Sequence, residues 1–213
     1  LPKPLVTVFT LGVDTPDKMG ELAFENRSRP LLKLKMTGDG LDMERVENIH
    51  KNAPNTKLVV DANEGWTIDQ YIDYASRFKE LGVMMIEQPL PAGSDLQLAS
   101  IPHPVPVCAD ESCHDTSTLP ELAGKYDMIN IKLDKTGGLT EALKLKRLAL
   151  EQGFQIMVGC MIGTSLAMAP GLVVGQGAAV VDLDGPLLLK DDRENGLEFK
   201  GSTINVPSEL LWG

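Results

Sequence analysis

Short apolar runs of strand length alternate with amphipathic runs of helical length along nearly the whole chain. That alternation constrains the fold more than any single motif does. The strand-like runs are Leu5–Leu11, Leu31–Lys35, Lys57–Asp61, Val83–Glu87, Val105–Asp110, Met128–Lys132, Gln155–Val158 and Ala179–Asp182. Most are dense in β-branched and apolar residues, as expected of strands buried on both faces. The helix-like runs cover 16–26, 40–52, 67–81, 94–100, 115–124, 140–152 and 164–175. Thr67 with Gln70 three residues later reads as a capping box, and Gly82 as the stop; Thr140 opens a run ended by Gly153 in the same way. Strands and helices alternating at this spacing make right-handed βαβ units and a parallel sheet. Eight strands in about 200 residues predict an α/β fold, a compact parallel (β/α)8-type barrel over residues 1–184. A doubly wound open sheet is the structural alternative, but it wants a glycine-rich phosphate loop after its first strand, and "TLGVDTPDKMG" matches poorly. The tail, residues 185–213, differs. It reads as a hairpin-like pair with turn residues at Glu194-Asn195-Gly196, without a helix of its own, and is expected to leave the barrel and pack elsewhere.

Charged residues recur where these runs end. Asp61 follows three apolar residues, with Asn63 two positions on and on the same face; Glu87 follows four; Asp110 and Lys132 close the fifth and sixth runs. In a (β/α) barrel the C-terminal strand ends build the active site. A carboxylate buried there must be paired or bound to a cation. Asp61, Glu87 and Asp110 are hard oxygen donors without His or Cys among them, which suits Mg²⁺ and argues against zinc. A carboxylate–lysine network serving stability alone is the plain alternative.

The second run, "LLKLK", places Lys33 and Lys35 on one face. Lysines turned outward on an edge strand would explain such a pair. The strand-end carboxylates favour another explanation. Strands 2 and 6 of an eight-membered ring lie opposite each other, so Lys35 and Lys132 would flank a substrate held at the carboxylates. One would remove a proton from one face of a carbon and the other return one to the opposite face. Lys33, beside Lys35, would lower its neighbour's pKa toward that of a working base. Asp182 and Asp184 share a face at the end of the eighth run, across from Glu87. They would attract a cationic group such as an amine, unless they serve only as a cap or turn pair.

A net charge of −10 without a basic stripe argues against nucleic acid and anionic membrane as partners. No apolar run is long enough to span a bilayer. The N-terminus lacks the features of a signal peptide and a starting methionine, as in an excerpt or a processed chain. Cys108, Cys113 and Cys160 are odd in number and lack C-x-x-C spacing, which fits a reducing, cytoplasmic setting and no structural zinc. His50, His103 and His114 are scattered and read as surface or loop residues.

The ordered set "KLK" at 33–35, "DAN" at 61–63, "EQP" at 87–89, "ADES" at 109–112, "NIKLDKTGG" at 130–138, "GCMIGTS" at 159–165 and "DLDGP" at 182–186 resembles the barrel domain of the enolase superfamily. Within it, the set is similar to the muconate-lactonizing subgroup and its dipeptide epimerases of the L-Ala-D/L-Glu type. The resemblance implies a modified (β/α)7β barrel whose N-terminal capping domain is absent from this chain, with the tail from residue 185 returning toward that cap. It implies Mg²⁺ on Asp61, Glu87 and Asp110, acid/base catalysis by Lys35 and Lys132 supported by Lys33, and a dipeptide substrate held by Asp182, Asp184 and Asn63. An N-acylamino acid racemase or o-succinylbenzoate synthase is the rival within the superfamily. A Schiff-base barrel lyase and a non-catalytic binding protein are the rivals outside it. A homo-oligomer is compatible with all of these.

Overall fold

The computed structural model describes residues 2–212. In chain order its elements are β1 (Leu5–Val6), β2 (Phe9–Leu11), α1 (Pro16–Glu25), β3 (Leu31–Lys35), α2 (Asp42–Asn52), β4 (Lys57–Asp61), α3 (Ile68–Glu80), β5 (Val83–Glu87), a 3₁₀ turn (Leu96–Ser100), β6 (Val107–Ala109), α4 (Leu119–Leu122), β7 (Met128–Ile131), α5 (Leu133–Thr136), α6 (Leu139–Glu151), β8 (Gln155–Val158), α7 (Ser165–Val174), β9 (Val180–Val181), a second 3₁₀ turn (Gly185–Leu188), β10 (Phe199–Lys200), β11 (Thr203–Ile204) and α8 (Glu209–Trp212). The chain divides into two compact units. One comprises residues 9–112 with 122–127. The other comprises the N-terminal residues through Val8, residues 113–121, and the chain from Met128 onward. Among the described residues, no helix is long and apolar enough to cross a membrane.

In the first unit β2 to β6 pair in chain order, all in parallel. Parallel strands need crossovers, and the amphipathic helices supply them. The sequence of α3 specifies its boundaries. Thr67 accepts the Gln70 N–H and the Gln70 side chain caps Thr67 in return, while Tyr71, Ala75 and Phe78 recur at helical spacing and are buried. The loop after β3 depends on a close backbone approach. A Cβ at Gly38 (φ +73°) would lie 2.0 Å from the Gly65 carbonyl oxygen, so only glycine fits. At the start of β6, the Asp127 carboxylate accepts the Val107 N–H at 2.8 Å and contacts His103 Nδ1 at 2.7 Å, while His103 Nε2 lies 3.1 Å from the Leu98 carbonyl.

In the second unit β7, β8 and β9 pair in parallel, bringing the parallel strands to the eight that the alternation predicts. The buried stripe of α6 is Ala142, Leu145 and Ala149. The tail caps α7: Asp192 accepts the Ser165 N–H at 3.0 Å and the Ser165 hydroxyl, and that hydroxyl accepts the Leu197 N–H at 2.8 Å.

Several expectations give way to local chemistry. The first strand-like run divides at Thr7 and Val8. Thr7 donates its N–H to Ser202 and Val8 to Val181, and the Thr7 hydroxyl accepts the Leu183 N–H at 2.9 Å, so β1 turns away to pair antiparallel with β11. The tail does form a hairpin, β10–β11, but its turn is at Gly201 and Ser202 rather than at Glu194-Asn195-Gly196, and it carries a 3₁₀ turn and α8. Thr140 lies inside α6 and does not cap it; Gly137 (φ +75°) and Gly138 (φ +144°) separate α6 from the short α5, which the sequence reading missed. The runs at 94–100 and 115–124 yield only a 3₁₀ turn and the four residues of α4.

The His103–Asp127 contact makes stability depend on pH. The Asp127 carboxylate raises the His103 pKa above its ordinary value, more than burial lowers it. A raised histidine contributes stability that is complete below its unfolded pKa of about 6.5 and is lost as pH rises through the folded value. The stability gap between the protein and His103→Gln, measured by urea unfolding, should therefore be wide at about pH 5.5 and narrow by about pH 9.

Candidate active site

The site is built on strand register. Parallel pairing sets Lys35 beside Asp61, Asp61 beside Glu87, and Glu87 beside Cys108, in one row across β3, β4, β5 and β6. Residues paired in this way share a face, as do residues two apart on a strand. Lys33 therefore stands on the face of Lys35, and Asp110, just past the end of β6, follows Cys108 by two. The row depends on an irregularity. Leu58 pairs with Val83 but Val59 pairs with Met85, so β5 carries one extra residue, Met84. A one-residue slip exchanges the faces of a strand, and this one brings Glu87 rather than Ile86 beside Asp61.

The side chains meet accordingly. The Lys33 ammonium lies 3.0 Å from Asp61 Oδ2 and 2.8 Å from Glu87 Oε2, and Lys35 Nζ lies 2.7 Å from the same Asp61 oxygen. Asp61 and Glu87 are fully buried and Asp110 is 2% exposed. The two lysines differ: 3% of the Lys33 side chain is exposed against 31% for Lys35. Lys33 is a buried counter-charge, whereas Lys35 can be reached from solvent. Burial pushes the Asp61 carboxyl up and Asp110 adds to the push, but the Lys33 and Lys35 charges outweigh both and hold it below the usual carboxylate range.

Asn63 corrects a sequence inference. β4 ends at Asp61 and Asn63 takes φ +45°, so strand alternation no longer sets its direction. It is exposed, and its backbone N–H donates to Asp61 Oδ1 at 3.0 Å. Of the four non-glycine residues with left-handed φ among the described residues, Asn63, Glu64 and Gln88 lie just past β4 and β5, where strain is expected at functional positions.

The remaining sequence-derived residues belong to the second unit. Lys132 is 8% exposed and immediately precedes α5, where its carbonyl accepts the N–H groups of Lys135 and Thr136. Asp182 and Asp184, 5% and 3% exposed, follow β9. One carboxylate oxygen of each and the Cys160 sulfur lie within 4.8 Å of one another. The sequence marks Cys160 only by its place in "GCMIGTS". A Cβ at Gly185 would lie 3.3 Å from the Met161 carbonyl, so glycine there lets the loop after Cys160 close onto this cluster.

The donor chemistry at Asp61, Glu87 and Asp110 fits a hard divalent cation. All their side-chain donors are oxygens, and Lys33 demonstrates that one positive centre can touch Asp61 and Glu87 together.

The chain belongs to the enolase C-terminal domain-like family, whose model matches residues 19–210. With that membership comes the parallel α/β barrel class expected from the strand count. Over 208 residues it is 44% identical to the N-acetyl-D-glutamate racemase of a Pseudoalteromonas species, covering 98% of this chain and 66% of that protein. It is 45% identical over 208 residues to the L-Ala-D/L-Glu epimerase of Escherichia coli K12, covering 97% and 64%. Among solved structures it superposes with a TM-score of 0.98 and 51% identity on an Agrobacterium tumefaciens enolase family member with homology to dipeptide epimerases, bound to sodium and L-Ala-L-Glu; the match covers 100% of this chain and 65% of that one. A dipeptide epimerase from Methylococcus capsulatus complexed with Mg and L-Arg-D-Lys superposes with a TM-score of 0.89 at 29% identity, covering 96% and 61%. The chain thus spans just under two thirds of the length of these relatives.

Removing one partner from a buried ionic cluster leaves an uncompensated charge. With a chelator present, Lys33→Met should lower the unfolding free energy by about 3–5 kcal/mol, read from urea denaturation. A loss below about 1 kcal/mol would place Lys33 in the range of a surface pair.

Proposed function

We propose that this chain is the catalytic part of an isomerase that inverts the α-carbon of an N-acylated glutamate, with the dipeptide L-Ala-D/L-Glu as substrate. The observation that carries the reading is the row Lys35–Asp61–Glu87, with Lys33 on the same face: a solvent-reachable ammonium beside carboxylates too deeply buried to serve as surface charges. The two curated relatives support the substrate class. L-Ala-Glu and N-acetylglutamate both present a glutamate with an acylated amine, and differ by an ammonium and a methyl group on the carbon next to the acyl carbonyl.

Asp61, Glu87 and Asp110 would hold Mg²⁺. When bound, the ion supplies positive charge to the substrate carboxylate and makes the neighbouring α-proton easier to remove. Lys35 Nζ takes the α-proton from one face of the carbon, and Lys132 Nζ gives a proton to the other; for the opposite stereoisomer the two exchange tasks. Each lysine starts neutral when it is the base and charged when it is the acid, so one turnover exchanges their protonation states. Lys33 supports Lys35 by keeping Asp61 and Glu87 compensated. Asp182 and Asp184 would hold the alanyl ammonium, and Asn63 would contact substrate from the end of β4. An intracellular, cytoplasmic setting fits the odd number and the spacing of the three cysteines.

The second reading is racemisation of an N-acetylated glutamate, favoured by the 44% identical racemase. Asp184→Asn separates the two. A charge-assisted contact is worth about 1.5–3 kcal/mol, or roughly ten- to a hundredfold in kcat/KM. On full-length protein, Asp184→Asn should lower kcat/KM for L-Ala-L-Glu by that factor and leave N-acetylglutamate nearly unchanged. Equal losses on both would favour the racemase reading.

The two-lysine assignment is tested by α-proton exchange in D₂O with Mg²⁺. Lys35→Ala and Lys132→Ala should each abolish inversion, and each should retain exchange into only one stereoisomer, a different one in each case. Near-normal inversion by either variant would overturn the assignment.

A further inference from the structure

Behind the carboxylate row lies a buried polar chain that the proposed reaction does not use. It begins at Gln88, the residue after Glu87, which is fully buried and held at φ +34°. Its main chain joins three strand ends: the Gln88 N–H donates to the Cys108 carbonyl, and its own carbonyl accepts the Glu64 N–H, both at 2.9 Å. Its side-chain oxygen accepts the backbone N–H of Asp110 at 2.9 Å and of Ser112 at 3.1 Å. Its Nε2 faces the Leu90 carbonyl at 2.8 Å, and the Ser112 hydroxyl and Tyr126 hydroxyl at 2.9 Å each.

The far end of this chain is an anion. Asp95, 2% exposed, accepts the Tyr126 hydroxyl at 2.6 Å, the Ser112 hydroxyl at 2.7 Å and the Lys125 ammonium at 2.6 Å. An ionised carboxylate only accepts, so the Tyr126 and Ser112 hydrogens point at Asp95 and their lone pairs face Gln88. The amide can then meet them only with its NH₂, and its oxygen is left for the N–H groups of Asp110 and Ser112. The opposite orientation would set oxygen against oxygens and NH₂ against N–H groups. Lys125, Tyr126 and Ser112 hold Asp95 below the usual carboxylate range against burial, which keeps this polarity fixed.

We propose that Gln88, Tyr126 and Asp95 are positioning residues for the cation site, fixing the main chain of Asp110 beside Glu87 through the orientation of one buried amide. The inference rests on reading Asp61, Glu87 and Asp110 as cation ligands. Gln88 is bonded to one of these residues through the chain and to another through its side chain. Any loosening of the amide therefore changes the relation of two ligands at once.

The test is Mg²⁺ binding by full-length protein, followed by titration calorimetry beside the thermal midpoint. Tyr126→Phe removes the acceptor for Gln88 and the donor to Asp95 while keeping the ring. It should weaken Mg²⁺ binding on the order of tenfold, with kcat restored toward the unaltered value at saturating Mg²⁺. Tyr71→Phe is the control. Tyr71 is equally buried, and its hydroxyl has no hydrogen-bond partner among the described residues, so its removal should leave Mg²⁺ affinity unchanged. Tyr126→Phe binding Mg²⁺ as the unaltered protein does, whatever its thermal midpoint, overturns the proposal. If Tyr126→Phe does not fold, Ser112→Ala, which removes the parallel link between Gln88 and Asp95, is judged by the same criterion. Failure of the ligand assignment has a different signature: Glu87→Gln would then leave Mg²⁺ affinity unchanged, and the network would have no cation site to serve.

Discussion

Lys33 carries its ammonium between Asp61 and Glu87 at a depth where neither carboxylate meets solvent. Burying an ion is costly, and such a cluster persists only when every charge has a near partner. That requirement dictates much of the surrounding structure. The partners must stand on one face at matched height, which fixes the pairing of β3, β4 and β5. It also settles the charge that a substrate would meet. Asp61, Glu87 and Asp110 against Lys33 and Lys35 leave the set one charge negative. With both lysines charged, the divalent cation proposed for this set would reverse that sign and favour a carboxylate over a neutral or cationic group.

The proposed labour is divided between the two compact units. Residues 9–112 supply the carboxylate row with Lys33 and Lys35, and the chain from Met128 supplies Lys132 and the Asp182–Asp184 pair with Cys160 beside it. The carboxylates proposed to hold the cation and the pair proposed to sense the acyl end are thus encoded in different stretches of chain. An epimerase and a racemase at 45% and 44% identity to one sequence are compatible with such a division, since the choice between alanyl and acetyl groups need not disturb the carboxylates.

Much of this arrangement was legible because burial and charge leave opposite marks on a sequence. The bounds of β3, β4, β5 and β8 fall where the apolar runs suggested, since each is a short, largely apolar stretch and three of them end on a charged residue. Thr67 and Gln70 announced α3 because a capping box is a purely local interaction. What escaped notice is set by contacts between distant residues. The division of β1 from β2 depends on Ser202, Val181 and Leu183, and the left-handed turn at Asn63 on the strand ends around it. Cys160 comes beside Asp182 and Asp184 through the fold of its unit, so its spacing along the chain says nothing of the cluster.

Met84 bears on how this chain can change by gain or loss of residues rather than by substitution. It is the surplus position in the pairing of β4 with β5, only partly buried, and other side chains can stand there. A chain shorter by that one position would pair Met85 with Val59, Ile86 with Val60 and Glu87 with Asp61 in an unbroken ladder, so the row would survive the loss; drawing Met84 into the ladder without a bulge would instead set Ile86 where Glu87 now stands. In β5, then, a single residue too many is tolerated only because it is looped out of the ladder, and that one step of register separates a carboxylate-bearing edge from an ordinary piece of core.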